Sequence, residues 1–489
     1  MPDTPADARP AIRRTKLVCT IGPASIGRVD ELVATGVDVA RINFSHGSPS
    51  TRAAAARAVR SAAERAGRSV AVLADLAGPK IRLGDLATGE LRLEPGRPFT
   101  LRVGTGGPPG DERGAGVSYG QLAADVRPGD RVLLADGAAE LRVTGVDGDV
   151  ATEVVRGGTI RSRAGVSVPS HRLSSPALTP KDRADLPRAV ALGVDYVAQS
   201  FVRTAADVRA LRDRLGEHPP ALIAKIETRP AIDDFDAILG LVDAVMIARG
   251  DLGVELPYEE VPIIQKQLVR RALDRGVPSI VATQMLESMI SSPRPTRAEA
   301  SDVANAVFDG ADAIMLSGET AIGAFPVLAA EAAVRICELC EERGAEHLPS
   351  GAPPPVETDA GALAYAAVAI ARAEPNVAGI ACYTRTGRTA RILSSLRPRT
   401  PIFAFSPDPA VVRGLALING VRARSCVPPD DAAGRLGLMA WLLAEERSVP
   451  AGAPVVLVAS TAQPGSGPNV LEVHRVPGSA SFDRISGRD

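Results

Sequence analysis

Lys225 and Glu227 stand two residues apart at the end of an apolar run, Ala221-Leu222-Ile223-Ala224-Lys225-Ile226-Glu227. On a strand, residues i and i+2 share a face, so the two side chains project together. The next apolar run, Ala244-Val245-Met246-Ile247-Ala248, ends in Arg249-Gly250-Asp251. If the two runs are neighbouring parallel strands, Asp251 arrives beside the pair. Two carboxylates and an ammonium then converge at strand C-termini. Such a group suits a divalent cation that holds a phosphorylated substrate. A buried ion group with no function is costly, which favours a site over plain packing.

The elements that must position these residues recur along the chain. Apolar runs begin at Lys16, Val37, Val70, Tyr196, Ala221, Ala244, Ser279 and Ala313, with helix-like stretches between them. Strands alternating with helical segments indicate βα units and a parallel sheet. Eight such units predict a (β/α)₈ TIM barrel, whose active site is built by the loops after the strands. The polar residues follow that rule. Arg41, Asn43, Ser45, Asp75, Lys225, Glu227, Asp251, Thr283 and Ser317 all lie at or just past the C-terminal end of a run. One strand-end Thr or Ser is most often a helix cap; the same pattern on six strands is harder to dismiss.

The texture changes between the third and fourth runs. Residues 84–168 carry Gly punctuation and period-2 alternation, as in Arg131-Val132-Leu133-Leu134 and Leu141-Arg142-Val143. This predicts a small inserted β-barrel lid domain over 78–169, entered through Gly78-Pro79 and left at Pro169. The catalytic barrel would then comprise 12–77 and 170–346. The Pro-rich stretch from Leu348 to Pro355 reads as a linker. A C-terminal open α/β domain follows over 347–476, with runs at Val377, Pro401 and Pro454. Residues 1–11 read as a disordered N-terminus and 477–489 as a tail.

Composition narrows the classes. The 489 residues are 45% hydrophobic and only 3% aromatic, with a net charge of −1. Basic residues are spread out, so neither a nucleic-acid nor a membrane partner is expected. No apolar stretch approaches the roughly 20 residues of a membrane helix. The first ten residues lack the pattern of a secretory signal. Five scattered cysteines fit a reduced cytoplasm. Cys337 and Cys340 form a C-x-x-C inside a helix-like run with no second pair, which reads as helix packing. Among 56 basic residues only five are lysines, Lys16, Lys80, Lys181, Lys225 and Lys266. Lys80 and Lys225 both fall in motif-like segments, where a compact ammonium is wanted instead of a planar fork.

These segments together resemble the pyruvate kinase family over nearly the whole chain. The carrying strings are Ala40-Arg41-Ile42-Asn43-Phe44-Ser45-His46-Gly47, Gly78-Pro79-Lys80-Ile81-Arg82, Ala224-Lys225-Ile226-Glu227 and Ile247-Ala248-Arg249-Gly250-Asp251-Leu252-Gly253. The block from Ala282-Thr283-Gln284-Met285 through Pro293-Arg294-Pro295-Thr296-Arg297 to Leu316-Ser317-Gly318-Glu319-Thr320 completes them. The resemblance implies transfer of the phosphoryl group of phosphoenolpyruvate to ADP, the last step of glycolysis. It implies Mg²⁺ (or Mn²⁺) on Glu227 and Asp251, with Lys225 following the phosphoryl group and Arg41 binding it. Arg82 would serve the nucleotide phosphates, with Asn43 and His46 near the nucleotide. The backbone at Gly250 and Asp251 would take the substrate carboxylate. Thr283 would bond that carboxylate and, with Ser317, organise the water that protonates the enolate. A homotetramer is the family's usual assembly.

The chain departs from the family at one telling place. Members that require K⁺ coordinate it near the equivalents of Asn43, Ser45 and Asp75, and read Asp-Thr-Lys-Gly-Pro-Glu-Ile-Arg. Here the string is Asp75-Leu76-Ala77-Gly78-Pro79-Lys80-Ile81-Arg82. Lys80 replaces the carboxylate, so its ammonium is expected to stand in for K⁺, and K⁺ is not expected to be required. In the C-terminal part, Thr384-Arg385-Thr386-Gly387-Arg388-Thr389 is similar to the family's effector loop, and a sugar phosphate or AMP is its expected ligand. A Gly-rich string, Gln463-Pro464-Gly465-Ser466-Gly467, lies further on. Two other readings compete: a Mg²⁺-dependent lyase of pyruvate or oxaloacetate, and a metabolite sensor without turnover. The first leaves the inserted domain and the Lys225/Arg41 pair without a role. The second leaves the intact Lys225, Glu227, Asp251 and Thr283 without one.

Overall fold

The computed structural model describes residues 13–351, 358–427, 429, 432–446, 448–459 and 469–477. The expected N-terminal segment, residues 352–355 of the linker, the Gln463–Gly467 string and the tail beyond 477 lie outside them. Eight parallel strands close into a barrel: Lys16–Thr20, Val39–Asn43, Ala71–Asp75, Tyr196–Gln199, Ala221–Ile226, Ala244–Ala248, Ser279–Ala282 and Ala313–Leu316. Each pairs with its neighbours in chain order, and the first closes on the last through Lys16 opposite Ala313. Lys225 pairs with Met246, so the two opening runs are neighbours as expected.

The barrel interior follows from strand parity. Ala71, Leu73, Tyr196, Ala198, Ile223, Ala244, Met246, Ile280, Ala313 and Met315 form one buried inner cluster. The alternate residues, such as Val72, Ala74, Leu222 and Ala224, pack outward against the helices. Continuing the inward lines upward by two residues reaches Arg41, Asp75, Ser200, Lys225 and Ser317. The chemistry therefore occupies the topmost layer of an otherwise apolar core. Ala416 and Leu417 of the C-terminal region join the inner cluster from below. Tyr196 Oη donates to Gly414 O at 2.9 Å, and Arg413 Nε lies 2.7 Å from Asp195 Oδ1. The C-terminal region thus stoppers the barrel base.

Between the third and fourth barrel strands, Pro98–Val103, Gly114–Val117, Arg131–Leu134, Ala139–Asp147, Asp149–Arg156 and Val166–Ser167 form a six-stranded sheet. Glu90–Leu93 and Gly158–Arg161 form a second, two-stranded one. Their apolar faces make a separate core around Phe99, Leu101, Val132 and Leu141. The chain leaves the barrel for this insertion at Gly78, whose φ is +65°. A Cβ there would lie 2.7 Å from Phe201 Cδ2 and 2.9 Å from Ser200 Cβ. Asp182 fixes the same crossing: it accepts from Ala77 N at 2.9 Å while closing the capping box of helix Pro180–Ala191 with Thr179. Further on, Val421–Ser425, Ile402–Ser406, Gly379–Tyr383, Pro454–Ala459 and Val470–Arg475 make a five-stranded sheet in that order, antiparallel only at the last strand. Cys337 and Cys340 are buried in helix Pro326–Arg343.

Gly78→Ala is expected to destabilise the protein by about 2–4 kcal/mol, from the left-handed backbone plus the clash with Ser200 and Phe201. Gly67→Ala, at φ +60° with open space around it, should cost only about 1 kcal/mol. Equal shifts in the urea midpoints of the two variants would refute the clash.

Candidate functional site

Four charged side chains alternate in sign across the barrel mouth. Arg41 donates from Nε to Asp75 Oδ2 at 2.7 Å, with Nη2 2.6 Å from the same oxygen. Arg41 Nη1 also donates to Thr20 Oγ1 at 2.8 Å. Lys225 Nζ lies 3.4 Å from Asp75 Oδ1 and 2.8 Å from Glu227 Oε1, and donates to Ser200 Oγ at 2.8 Å. All four residues are buried. Burial alone would lower the Lys225 ammonium, but the carboxylates of Asp75, Glu227 and Asp251 outweigh it and hold the group above the usual lysine value. Burial likewise opposes the ionised Asp75, yet Lys225 and Arg41 keep its carboxyl below the usual range. For Glu227 burial wins: its carboxyl is pushed up, with Lys225 opposing and Asp251 adding to the shift.

The two oxygens of Glu227 differ. Oε2 accepts the Phe201 N–H at 2.7 Å. Oε1 is buried and lies 2.8 Å from the Lys225 ammonium, which it shares with Asp75 and Ser200, so a lone pair stays open on it. A buried carboxylate oxygen with an open lone pair, near the exposed Asp251, is a donor set that fits a hard divalent cation. Among the described residues no three acidic, His or Cys side chains form a cage. Two carboxylates would leave the remaining positions to substrate oxygens and water, as Mg²⁺ coordination demands.

Asp251 is carried on the helix Arg249–Glu255, directly after the sixth barrel strand. Arg249 anchors its start: Nη1 pairs with Asp302 Oδ1 at 2.6 Å and Nη2 donates to Thr283 O at 2.8 Å. Thr283 takes φ +71°, rare for a β-branched residue, followed by Gln284 at +54°. That backbone turns the Thr283 hydroxyl toward Gly250, whose N–H donates to Thr283 Oγ1 at 2.6 Å. The Gly250 N–H assigned from sequence to a substrate carboxylate is therefore already engaged. A substrate would reach it by displacing that hydroxyl. Ser317 follows the eighth strand, and its N–H is fixed by the fully buried Glu319 at 2.7 Å.

Asn43 Oδ1 accepts the Ser45 N–H at 3.0 Å, which shapes the loop that carries the exposed His46. Partial burial and then the charges of Lys80, Arg82 and Arg41 lower the His46 imidazole, so these groups share one electropositive rim. Lys80 has no ion-pair partner among the described residues. Desolvation, then repulsion from Lys225, lower its ammonium, while Asp75 and Asp251 pull the other way. Arg82 is exposed at the foot of the inserted sheets, its Nη1 3.5 Å from Arg163 O. The Thr384–Thr389 loop is not part of this group. It follows strand Gly379–Tyr383, where Thr384 Oγ1 accepts the Gly387 N–H at 2.9 Å and Gly387, at φ +81°, starts helix Arg388–Ser395.

Sequence reasoning missed Ser200, Thr20, the Phe201 N–H and Glu319. Parity offered a signal for the first two. Ser200 continues the inward line of Tyr196 and Ala198, and Thr20 continues that of Val18.

A closed parallel barrel with buried ion pairs and neighbouring carboxylates at its C-terminal mouth has the layout of a barrel enzyme for an anionic substrate. The family model described as the pyruvate kinase barrel domain matches residues 12–330, and that of the pyruvate kinase alpha/beta domain matches 361–474. A pyruvate kinase of Mycobacterium tuberculosis is 44% identical over 476 residues, covering 95% of this chain and 98% of its own. One from Geobacillus stearothermophilus is 40% identical over 482 residues, covering 94% and 80%. The crystal structure of a pyruvate kinase from Cryptosporidium parvum matches with a TM-score of 0.86 at 34% identity, over 95% of this chain and 96% of that one. The chain belongs to the pyruvate kinase family. It is accordingly a phosphotransferase that acts between phosphoenolpyruvate and ADP, and the family is metal-dependent.

Ser200→Ala removes the hydroxyl that accepts from Lys225 at 2.8 Å and donates to Leu76 O at 2.7 Å, with Asp75 Oδ1 3.3 Å away. Turnover is expected to fall about tenfold, with the melting temperature nearly unchanged. An unaltered kcat would show that Ser200 does not position Lys225.

Proposed function

We propose that phosphoryl transfer in this chain is carried by Lys225, Arg41, Glu227, Asp251 and Thr283, without a monovalent cation. The observation that carries this reading is the buried Lys225 ammonium held between Asp75, at 3.4 Å, and Glu227, at 2.8 Å, at the barrel mouth. Glu227 and Asp251 would hold Mg²⁺ or Mn²⁺, which supplies neutralisation of charge on the phosphoryl and carboxylate oxygens of phosphoenolpyruvate. Phosphoryl transfer asks mainly for positioning and charge compensation. Lys225 answers the second need, because its raised pKa keeps it an ammonium at neutral pH. A unit charge pair at about 4 Å is worth roughly 4 kcal/mol at an effective dielectric near 20, so its loss costs orders of magnitude in rate. Arg41 adds a second cation on the phosphoryl side. Thr283 orients toward the substrate carboxylate, and Ser317 toward the water that protonates the enolate. Arg82, His46 and Asn43 line the rim where ADP would enter.

Lys80 replaces K⁺ in this reading. Both oxygens of Asp75 already face cationic donors, Arg41 on Oδ2 and Lys225 3.4 Å from Oδ1. A bound K⁺ on Asp75 would compete with those donors, whereas the Lys80 ammonium adds positive charge at the rim without displacing any. The Thr384–Thr389 loop would receive the phosphate of a sugar phosphate or AMP, with the basic Arg385 and Arg388 flanking the helix start. Assembly as a homotetramer and residence in the cytoplasm are carried over from the family. No described helix is long and apolar enough to cross a membrane.

Pyruvate formation from phosphoenolpyruvate, ADP and Mg²⁺ is expected to proceed equally in K⁺ and in tetramethylammonium, and Lys80→Glu should create a K⁺ requirement. A wild-type enzyme active only in K⁺ would remove Lys80 from this role. Lys225→Arg keeps the charge but not its geometry; turnover should drop by about a thousandfold or more, while Mn²⁺ binding followed by electron paramagnetic resonance persists. Near-normal turnover in that variant would overturn the assignment.

A further inference from the structure

We propose that the cavity between the N-terminal face of the barrel and the C-terminal α/β region binds a small oxyanion ligand, a phosphate- or carboxylate-bearing metabolite, at a site separate from the Thr384–Thr389 loop. This inference is independent of the catalytic assignment. The cavity has a volume of about 480 Å³, the size of a small-molecule site. Its wall draws on both parts of the chain. Arg14 leads into the first barrel strand and Gly310 toward the eighth. Arg372 ends helix Asp359–Ala373, and Arg397 to Arg399 lead toward strand Ile402–Ser406. The C-terminal sheet contributes the N-terminal ends of its strands here, whereas the Thr384–Thr389 loop follows a strand's C-terminal end. The two places lie at opposite ends of the parallel strands of one sheet.

The lining is electropositive. Arg14, Arg372, Arg397 and Arg399 face one carboxylate, Glu341. Glu341 is committed to the segment entering the barrel: it accepts from Arg14 N at 2.7 Å and Thr15 N at 2.6 Å, with the Arg14 side chain 3.6 Å away. Arg397 is neutralised by Asp312, with Nη1 and Nη2 donating at 3.0 and 2.9 Å. Arg372 and Arg399 have no acidic partner among the described residues. Each uses one of its five donors on a carbonyl, Leu396 O at 2.8 Å and Ala345 O at 3.0 Å. Arginines that merely cap helix ends would account for those two bonds. Both guanidinium groups are exposed at the cavity rim, where their remaining donors meet water that an oxyanion can displace.

Arg397 forms a fixed part of the wall. Its side chain is only 8% exposed, and its Nη1 and Nη2 are taken by Asp312 and by Gly310 O. The charge free to meet a ligand is therefore that of Arg372 and Arg399. An oxyanion bound between Arg372 and Arg399 would balance the surplus charge and tie the C-terminal region to the barrel base.

The test is amide hydrogen exchange on the full chain, with and without inorganic phosphate, and in parallel with citrate. Slowed exchange at 307–311 and 397–400 is expected with at least one of the two. Protection by phosphate alone assigns a phosphate ester, by citrate alone a carboxylate, and by both a general oxyanion site. Arg372→Gln with Arg399→Gln should raise the half-protecting concentration about tenfold or more. A variant altered in the other loop, Arg385→Gln with Arg388→Gln, should keep the wild-type value. Should the first pair fail to fold, Arg399→Gln alone reports the same shift. Absence of protection with either anion, or protection of the Arg372/Arg399 variant at the wild-type concentration, overturns the site.

Discussion

The active end of this protein rests on one chain of alternating charges, Arg41, Asp75, Lys225 and Glu227. Each member would be expensive to bury alone, and none is buried alone. Arg41 shares Asp75 with Lys225, and Lys225 bridges Asp75 to Glu227. These side chains come from the second, third and fifth barrel strands, and Ser200 and the Phe201 N–H bring in the fourth. The chain therefore fixes the relative heights of four neighbouring strands at the mouth. It also ends in a specific way. Glu227 Oε2 takes the Phe201 N–H, and Oε1 meets only the Lys225 ammonium that Asp75 and Ser200 share. The network thus ends at Glu227, on the strand next to the one that leads into Asp251.

That end of the barrel can be polar because the other end is not. Ala416 and Leu417 extend the apolar interior downward, and Tyr196 hydrogen-bonds Gly414 beyond it. Buried apolar side chains fill the barrel below the ion chain. In a medium of low effective dielectric the charges act on one another strongly, which explains how burial and ionisation coexist for Asp75 and Lys225. For Glu227 the balance tips the other way, since burial outweighs the Lys225 ammonium and Asp251 adds a second negative charge. A carboxyl in that position gains from a cation more than from a proton alone, because a cation can serve both carboxylates together.

Much of this was legible in the sequence, and the reason is periodicity. Eight apolar runs with helical spacers admit few topologies, and the i, i+2 relation placed Lys225 and Glu227 on one face before any register was known. The barrel and the C-terminal α/β sheet follow from the same patterns, and the inserted sheets from the switch to strict alternation. What stayed hidden depends on register between strands. Ser200 became part of the site only through its neighbours, Lys225 on the next strand and Asp75 on the previous one. A strand-end serine in isolation is indistinguishable from a helix cap. Glu319 was quoted within a motif, yet its partners, the N–H groups of Ser317 and Leu286, are backbone atoms that no side-chain pattern announces. The Gly250 N–H was assigned to substrate because sequence gives no hint that Thr283 would turn back on it.

Thr283 turns back because its backbone is strained, and the strain has company. Phe201, Thr283 and Gln284 have φ of +54°, +71° and +54°, all just past the ends of barrel strands. Each conformation costs on the order of 1–3 kcal/mol and survives only where surrounding contacts over-determine it. The contacts here are identifiable. Phe201 is held by its N–H on Glu227, and Thr283 by Arg249, itself locked on Asp302. The strained positions thus lie where the strand backbone must stop running parallel to its neighbours and aim a donor or hydroxyl across the mouth. An enzyme that works by charge compensation gains from donors that need not reorganise as charge develops. Backbone strain held by buried ion pairs provides that rigidity, so the same carboxylates and guanidinium groups that neutralise charge also fix the geometry in which it is neutralised.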